Sequence, residues 1–376
     1  MKKDFIVIGA GIVGLAMTAR LLETGASVTL LERGIAGDEA SWAGGGILST
    51  LLPWDYSETV NQLAMYSASL YPQWTTALKT QTGIDPEYHV CGLHIMRPDR
   101  NHQTRALDWC AAHSVMIRQR LLTYDDPENI SGHRTDQSTY PTLFMPEVAQ
   151  VRNPRLLRAL RQRIEQLHGN IIEHCEVSRL TTCNLKVTGL QTSHGQLTAD
   201  QYILTAGAWS SRILGEHALN LDIRPIRGQI LLYRLPHRTI QSVVVEQAHY
   251  LIPRQDGHIL VGSTTEDTGF NKQTTTDARN RLSDWAGNLL PALRNTPLLQ
   301  HWAGLRPASP GNLPTIGRHP ALKNFYVNSG HFRYGMTMAP GSTEILLNEI
   351  EKRKQPFAIS PYQQGWQTAA HRSASY

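Results

Sequence analysis

The run Gly9-Ala10-Gly11-Ile12-Val13-Gly14 has G-x-G-x-x-G spacing, and Glu32 follows it at roughly twenty residues. Such glycines allow a tight turn, let a pyrophosphate approach the N–H groups at a helix start, and let helix and strand pack closely. An acid at the end of the next strand accepts ribose hydroxyls, so the chemistry is dinucleotide binding; a 2′-phosphate, and with it NADP, is disfavoured. FAD and NAD share this fingerprint, and later segments distinguish them. Ala206, Gly207 and Trp209 lie in Thr205–Ser210, where small residues close an apolar run. Ser41-Trp42-Ala43-Gly44-Gly45-Gly46-Ile47 is narrow enough to lie across an isoalloxazine ring. Gly330-His331-Phe332-Arg333-Tyr334-Gly335-Met336 precedes a helix whose N-terminus suits the negative charge of a reduced flavin.

These residues require a strand before Gly9, a helix after Gly11 and a second strand ending at Glu32. Residues 4–8 are an apolar run, 12–23 have helical spacing, and 27–32 are apolar again. Residues 36–52 are too small in side chain for core and too apolar for a solvated linker, which predicts that they lie against a flat surface. A long helix is predicted over 58–82 with Leu63, Leu70, Trp74 and Leu78 inward, a strand over 92–96 and a helix over 103–113. Asn153-Pro154 reads as a capped helix start. Short β runs follow at 170–174, 177–181, 186–192 and 201–205, then antiparallel strands at 223–235, 243–246, 250–253 and 259–262. Strands return at 302–306 and 325–329 before a helix near 340–350. The predicted fold class is α/β, a Rossmann-type domain from 1–85, 145–220 and 300–355. It is interleaved with an α+β, antiparallel-sheet substrate domain from 86–144 and 221–299, and 356–376 form a polar tail.

A chain of 376 residues can bury the cores of two such domains. Its net charge of +5 is scattered without a Lys/Arg block, which argues against nucleic-acid binding. Cys91, Cys110, Cys175 and Cys183 form no C-x-x-C pair, so no metal site is expected and a reducing, cytoplasmic compartment fits. The first apolar stretch is broken by Asp4 and glycines and falls short of the ~20 residues of a bilayer span, so neither an export signal nor a transmembrane segment is expected. No H-E-x-x-H or G-x-S-x-G run points to a metalloprotease or a hydrolase.

At these residues the chain resembles the D-amino-acid-oxidase superfamily of FAD enzymes and, within it, the glycine-oxidase family of the thiamine pathway. The resemblance covers nearly the whole chain. It is carried by 9–14 with Glu32-Arg33, 41–47, Asn153-Pro154, 205–210, Trp302-Ala303-Gly304-Leu305-Arg306-Pro307, Ile316-Gly317-Arg318-His319-Pro320 and 330–340. With the glycine turn (Gly9, Gly11, Gly14) and Ala206, Gly207 and Trp209, it implies noncovalent FAD held by Ile12, Val13, Glu32, Arg33, Ala40, Ser41, Gly45, Gly46, Ile47 and Val177. His331, Phe332, Arg333, Tyr334, Gly335, Met336 and Thr337 complete that set, His331 as a flavin-side structural residue rather than a base. The resemblance also implies that Arg306 holds a substrate carboxylate, helped by Tyr250 and Arg333. No side chain then acts as acid or base, flavin N5 being the hydride acceptor. A guanidinium does offer a planar two-donor fork that matches a carboxylate.

Relatives that attach flavin through histidine carry it where this chain has Ala43, and no cysteine follows Cys183, so FAD is expected to dissociate. Tyr334, Met336, Met338 and Ile47 depart from the family pattern at positions that bear on substrate selectivity. The activity implied is oxidative deamination of glycine or another small primary or secondary amino acid. Oxygen is the acceptor, a thiazole-synthesis protein a partner, and a homo-oligomer the assembly. Two alternatives stay open: a same-fold dehydrogenase that passes electrons to a quinone or partner, including the type that makes hydrogen cyanide from glycine, and a non-catalytic flavoprotein subunit.

Overall fold

The computed structural model describes residues 3–122, 140–236 and 240–366. Asp4–Ile8 is almost wholly buried and pairs in parallel with Ser27–Leu31 on one side and Gln201–Leu204 on the other. Parallel neighbours need crossovers, and helix Ile12–Glu23 supplies the first. The six-stranded sheet runs Thr315–Arg318, Phe325–Ser329, Gln201–Leu204, Asp4–Ile8, Ser27–Leu31, Asn170–Ile172. Only its first pair is antiparallel.

The second sheet has eight strands in the order Gln300–Ala308, Arg224–Arg234, His258–Gly262, His249–Pro253, Val243–Glu246, Leu93–Met96, Tyr140–Met145, Arg118–Leu122. It is antiparallel except where Val243–Glu246 lies parallel to Leu93–Met96, the join between its two separate stretches of chain. Gln300–Ala308 pairs antiparallel along Arg224–Arg234. Sequence places residues 300–355 together with the dinucleotide sheet, whereas in the structure the change of sheet falls after Ala308.

Helix Glu58–Thr82 begins at Ser57, whose Oγ accepts from the Val60 N–H. Its buried stripe contains Leu63 and Leu78 as expected, but Ser67 and Tyr71 occupy its middle, with Leu70 and Trp74 only half-buried. The reason is close packing on helix Gly335–Glu351. The Gly341 N–H donates to Ser67 Oγ at 2.9 Å, and a Cβ on Gly341 would stand 2.8 Å from that of Ser67. That last helix starts five residues before the expected position, with Pro340 inside it. Proline leaves the carbonyl four residues earlier without its helical donor, and the Tyr71 hydroxyl donates to that carbonyl, Met336 O.

The residues after Gln355 do not form a loose polar tail as far as Trp366. Tyr362 is fully buried with its hydroxyl donating to Thr59 O at 2.7 Å, and Trp366 packs edge-on against His319. Two buried aromatics anchor an otherwise polar segment. Residues 367–376 of that expectation, and 123–139 of the expected substrate domain, lie outside the described residues.

Candidate cofactor and substrate site

A cavity of about 470 Å³ opens at the C-terminal ends of the central parallel strands and runs to the inner face of the eight-stranded sheet. The glycine turn forms one end. Gly9 has φ +100°, and a Cβ there would meet Ala206 Cα at 2.7 Å; a Cβ on Gly14 would stand 1.9 Å from Gly9 O. The Thr205 hydroxyl donates to Gly9 O at 2.7 Å and ties the two chain segments together. Glu32 is buried on the wall, its two oxygens accepting from the N–H groups of Ala10 and Gly34 at 2.9 Å each. A carboxylate has about four acceptor sites, so this fixed acid keeps capacity for ribose hydroxyls.

Residues 39–47 form the long wall, as their small side chains suggested. Ser41 O and each carbonyl from Gly44 to Ile47 are taken by a donor from another segment. Asn153 Nδ2 donates to Ser41 O at 2.8 Å and Gly44 O at 2.9 Å, Arg254 Nη2 to Gly45 O at 2.8 Å, the Val151 N–H to Gly46 O at 2.9 Å, and Thr337 Oγ1 to Ile47 O at 3.0 Å. Among the described residues, the N–H groups of Gly45, Gly46 and Ile47 have no acceptor, so the wall offers donors with its acceptors satisfied. Asn153 was read as a helix cap; its side chain makes no cap bond and instead holds this wall. Arg254 carried no signal in sequence. We expect Asn153→Ala to cost about 2 kcal/mol, because two buried carbonyls lose their donor. Thermal unfolding together with the rate of cofactor release checks this; an unaltered melting temperature would contradict it.

At the other end, Trp302, Gly304 and Arg306 alternate along one face of the edge strand. Trp302 Nε1 donates to Ala43 O at 3.1 Å, and a Cβ on Gly304 would meet that of Ala43 at 2.6 Å, so the first two dock the wall and the third projects past it. Arg306 Nη1 donates to Thr264 O at 2.9 Å and Nη2 to Ser263 Oγ at 2.7 Å, with the Tyr250 hydroxyl also in hydrogen-bond contact. Burial pulls the guanidinium below its usual value, the nearby Tyr250 opposes this, and Arg333 adds to it. Two glycines make the space: a Cβ on Gly228 would lie 2.2 Å from the guanidinium, and one on Gly262 would lie 2.4 Å from the Tyr250 ring. Arg227 pairs with Glu266 at 2.7 Å and braces the segment that cups Arg306.

The expected site residues are thus brought together, with two distinctions. Gly14 and Thr337 stand behind the cavity wall rather than on it. Arg333 is exposed at the mouth, its Nη2 donating to Thr265 Oγ1 at 3.0 Å. Arg33 lies 3.8 Å over the Trp209 ring and pairs with Glu39 at 2.5 Å, while Lys272 reaches the same carboxylate at 2.9 Å. Complete burial pushes the His331 imidazole down to about 3. It is neutral near pH 7, so positive potential beside the following turn comes from the helix start at Gly335. Sequence alone missed Arg254, Gly228 and Gly262 as parts of the site, since none belongs to a local motif, and Asn153 because its motif read as a helix cap.

Fold and cavity together define a dinucleotide-binding oxidoreductase with a partly buried cation in its site. The sequence profile of the family described as FAD dependent oxidoreductase (DAO) matches residues 4–348. A glycine oxidase of Pseudomonas aeruginosa is 38% identical over 96% of this chain and 98% of its own length. A bifunctional protein ThiO/ThiG of Trichormus variabilis is 28% identical over 96% of this chain, which spans 55% of that longer protein. The crystal structure of glycine oxidase from Bacillus cereus superposes with a TM-score of 0.85 at 26% identity, covering 94% of this chain and 96% of that one. The chain belongs to the FAD dependent oxidoreductase family. Its cofactor is FAD, which the glycine cradle, the fixed Glu32 and the unpaired N–H groups of the wall suit. Among the described residues no cluster of metal-ligating side chains occurs, and no helix is long and apolar enough to cross a membrane.

Proposed function

We propose that this chain oxidises glycine, or a comparably small amino acid such as its N-methyl derivative, to the imine. Glycine, oxygen and water then yield glyoxylate, ammonia and hydrogen peroxide. The observation that carries the reading is Arg306, a partly buried guanidinium lining the cavity with no carboxylate bonded to it among the described residues. Bound FAD supplies the acceptor for the substrate hydride and the electrons for oxygen.

The protein's part is binding, orientation and exclusion of water. Arg306 keeps N–H groups beyond those bonded to Ser263 and Thr264, and these receive the substrate carboxylate. The Tyr250 hydroxyl, in contact with Arg306, adds a further polar contact. The narrow wall at 44–47 and the buried Tyr334 and Met336 limit the amine end to a small substrate. Tyr334 donates its hydroxyl to Thr50 O at 3.1 Å, and burial raises its pKa well above the usual phenol value, so it stays protonated. With His331 neutral as well, the site offers no strong base, and the substrate reacts as its free amine. Positioning accounts for the rate.

The similarity to ThiO/ThiG proteins supports a role in supplying thiazole synthesis, with a ThiG-type protein as partner; a cytoplasmic location and a homo-oligomeric state belong to the same proposal. Anaerobic glycine is expected to bleach the yellow protein, and admitted air to restore colour with release of peroxide. A spectrum unmoved by glycine overturns the choice of substrate, and slow recovery in air overturns oxygen as acceptor. Acid precipitation is expected to leave the flavin in the supernatant, because Ala43 offers no attachment atom; colour retained in the pellet would refute noncovalent binding.

A further inference from the structure

Arg254 is 5% exposed and sits behind the glycine wall rather than in the cavity. Its Nη1 donates to Gln150 Oε1 at 2.6 Å and Val151 O at 2.9 Å, and its Nη2 to Gly45 O at 2.8 Å. All three acceptors are uncharged. Among the described residues no carboxylate forms an ion pair with it, and the nearby acids Glu87 and Asp256 are held by Arg152 at 3.3 and 2.8 Å. Burial pulls the guanidinium down to about 10, which still leaves it charged near pH 7. A buried cation facing only neutral acceptors is costly, so a structural bond alone is a poor account of it.

The peptide geometry gives the cation a target. In a trans peptide the C=O and N–H point in opposite directions, so with Gly45 O aimed at Arg254 the Gly46 N–H points away from it. That N–H has no acceptor among the described residues, and both glycines line the cavity. A positive charge on the carbonyl side polarises the peptide and makes its N–H a stronger donor. Reduction adds negative charge to a flavin, and a stronger donor favours the reduced form.

We propose that Arg254 is a positioning residue for the flavin: it seats the Gly44–Gly46 wall, and its charge, acting through the Gly45–Gly46 peptide, raises the reduction potential of bound FAD. The inference rests on the FAD site and not on the choice of amine, since neither readout below uses turnover.

The test compares Arg254→Met and Arg254→Lys as holoproteins. The midpoint potential is measured by dye-coupled photometric reduction, and FAD release by the fluorescence of freed flavin. Arg254→Met is expected to lower the ratio of reduced to oxidised flavin about tenfold at a given potential, equivalent to ~30 mV for a two-electron couple. Arg254→Lys keeps the charge and is expected to hold the potential near that of the parent. It is expected to release FAD about tenfold faster, because an ammonium lacks the planar fork that spans three acceptors. A parent-like potential in Arg254→Met, or an equal fall in both variants, overturns the electrostatic role. If Arg254→Met does not fold, Arg254→Lys decides through both readouts: a retained potential with faster release supports the proposal, and a parent-like release rate or a lowered potential overturns it. Absence of bound FAD in the parent protein would instead overturn the site itself.

Discussion

Replacing Arg306 with alanine should raise the KM for glycine about 100-fold while the protein stays yellow. The loss corresponds to ~2.7 kcal/mol, the value of one to two charge-assisted hydrogen bonds to a carboxylate. FAD is retained because Arg306 has no part in the contacts that set the glycine turn or fix Glu32. The substitution also leaves Thr264 O and Ser263 Oγ without their donor, so stability should fall by about 1–2 kcal/mol, and the melting temperature should be recorded with the kinetics. Arg306→Lys should recover only part of the loss, because an ammonium cannot serve Ser263, Thr264 and a carboxylate in one plane. Steady-state kinetics on Arg306→Ala that matched the parent would remove the carboxylate-binding role and with it the main support for an amino-acid substrate.

Gly14→Ala should abolish retention of FAD through dialysis and lower stability by about 3 kcal/mol. The added methyl would stand 1.9 Å from Gly9 O and 2.7 Å from Thr205 Oγ1, and neither is the free end of a flexible side chain. Relief requires the first turn of the helix to move off the strand, which spreads the N–H groups meant for the pyrophosphate. Gly25→Ala is a suitable control. Gly25 has φ +87°, yet nothing lies within 4 Å of the added Cβ. Only the left-handed backbone then opposes the substitution, at about 1 kcal/mol and with FAD retained. Flavin content after dialysis and thermal unfolding separate the two; equal behaviour would mean that contact at Gly14 is unimportant.

Several features were readable from local sequence because their causes are local. Gly9, Gly11 and Gly14 impose the turn through backbone freedom and space, and the apolar spacing over 58–82 is that of a helix. Trp302, Gly304 and Arg306 stand out as part of one continuous run that carries the family resemblance. Local rules misled where one residue had two possible partners. Asn153 before Pro154 has the form of a cap, but its amide reaches Ser41 and Gly44, more than a hundred positions away. Pro340 has the form of a helix start, but it sits inside a helix because Tyr71 serves the carbonyl it leaves open.

The sequence by itself determined that this protein binds a dinucleotide, because the glycine turn and the acid that follows it lie within one strand–turn–helix–strand unit; Arg306 stands out through the family resemblance, with which the match of a guanidinium to a carboxylate agrees. Only the tertiary structure decided what stands behind the site. Gly228 and Gly262 matter for the side chains of Arg306 and Tyr250 that enter their space, and Arg254 matters for the carbonyl of Gly45, some two hundred positions away in the chain. Such roles depend on which distant segments pack together, and packing is a property of the whole chain that no short window of sequence contains.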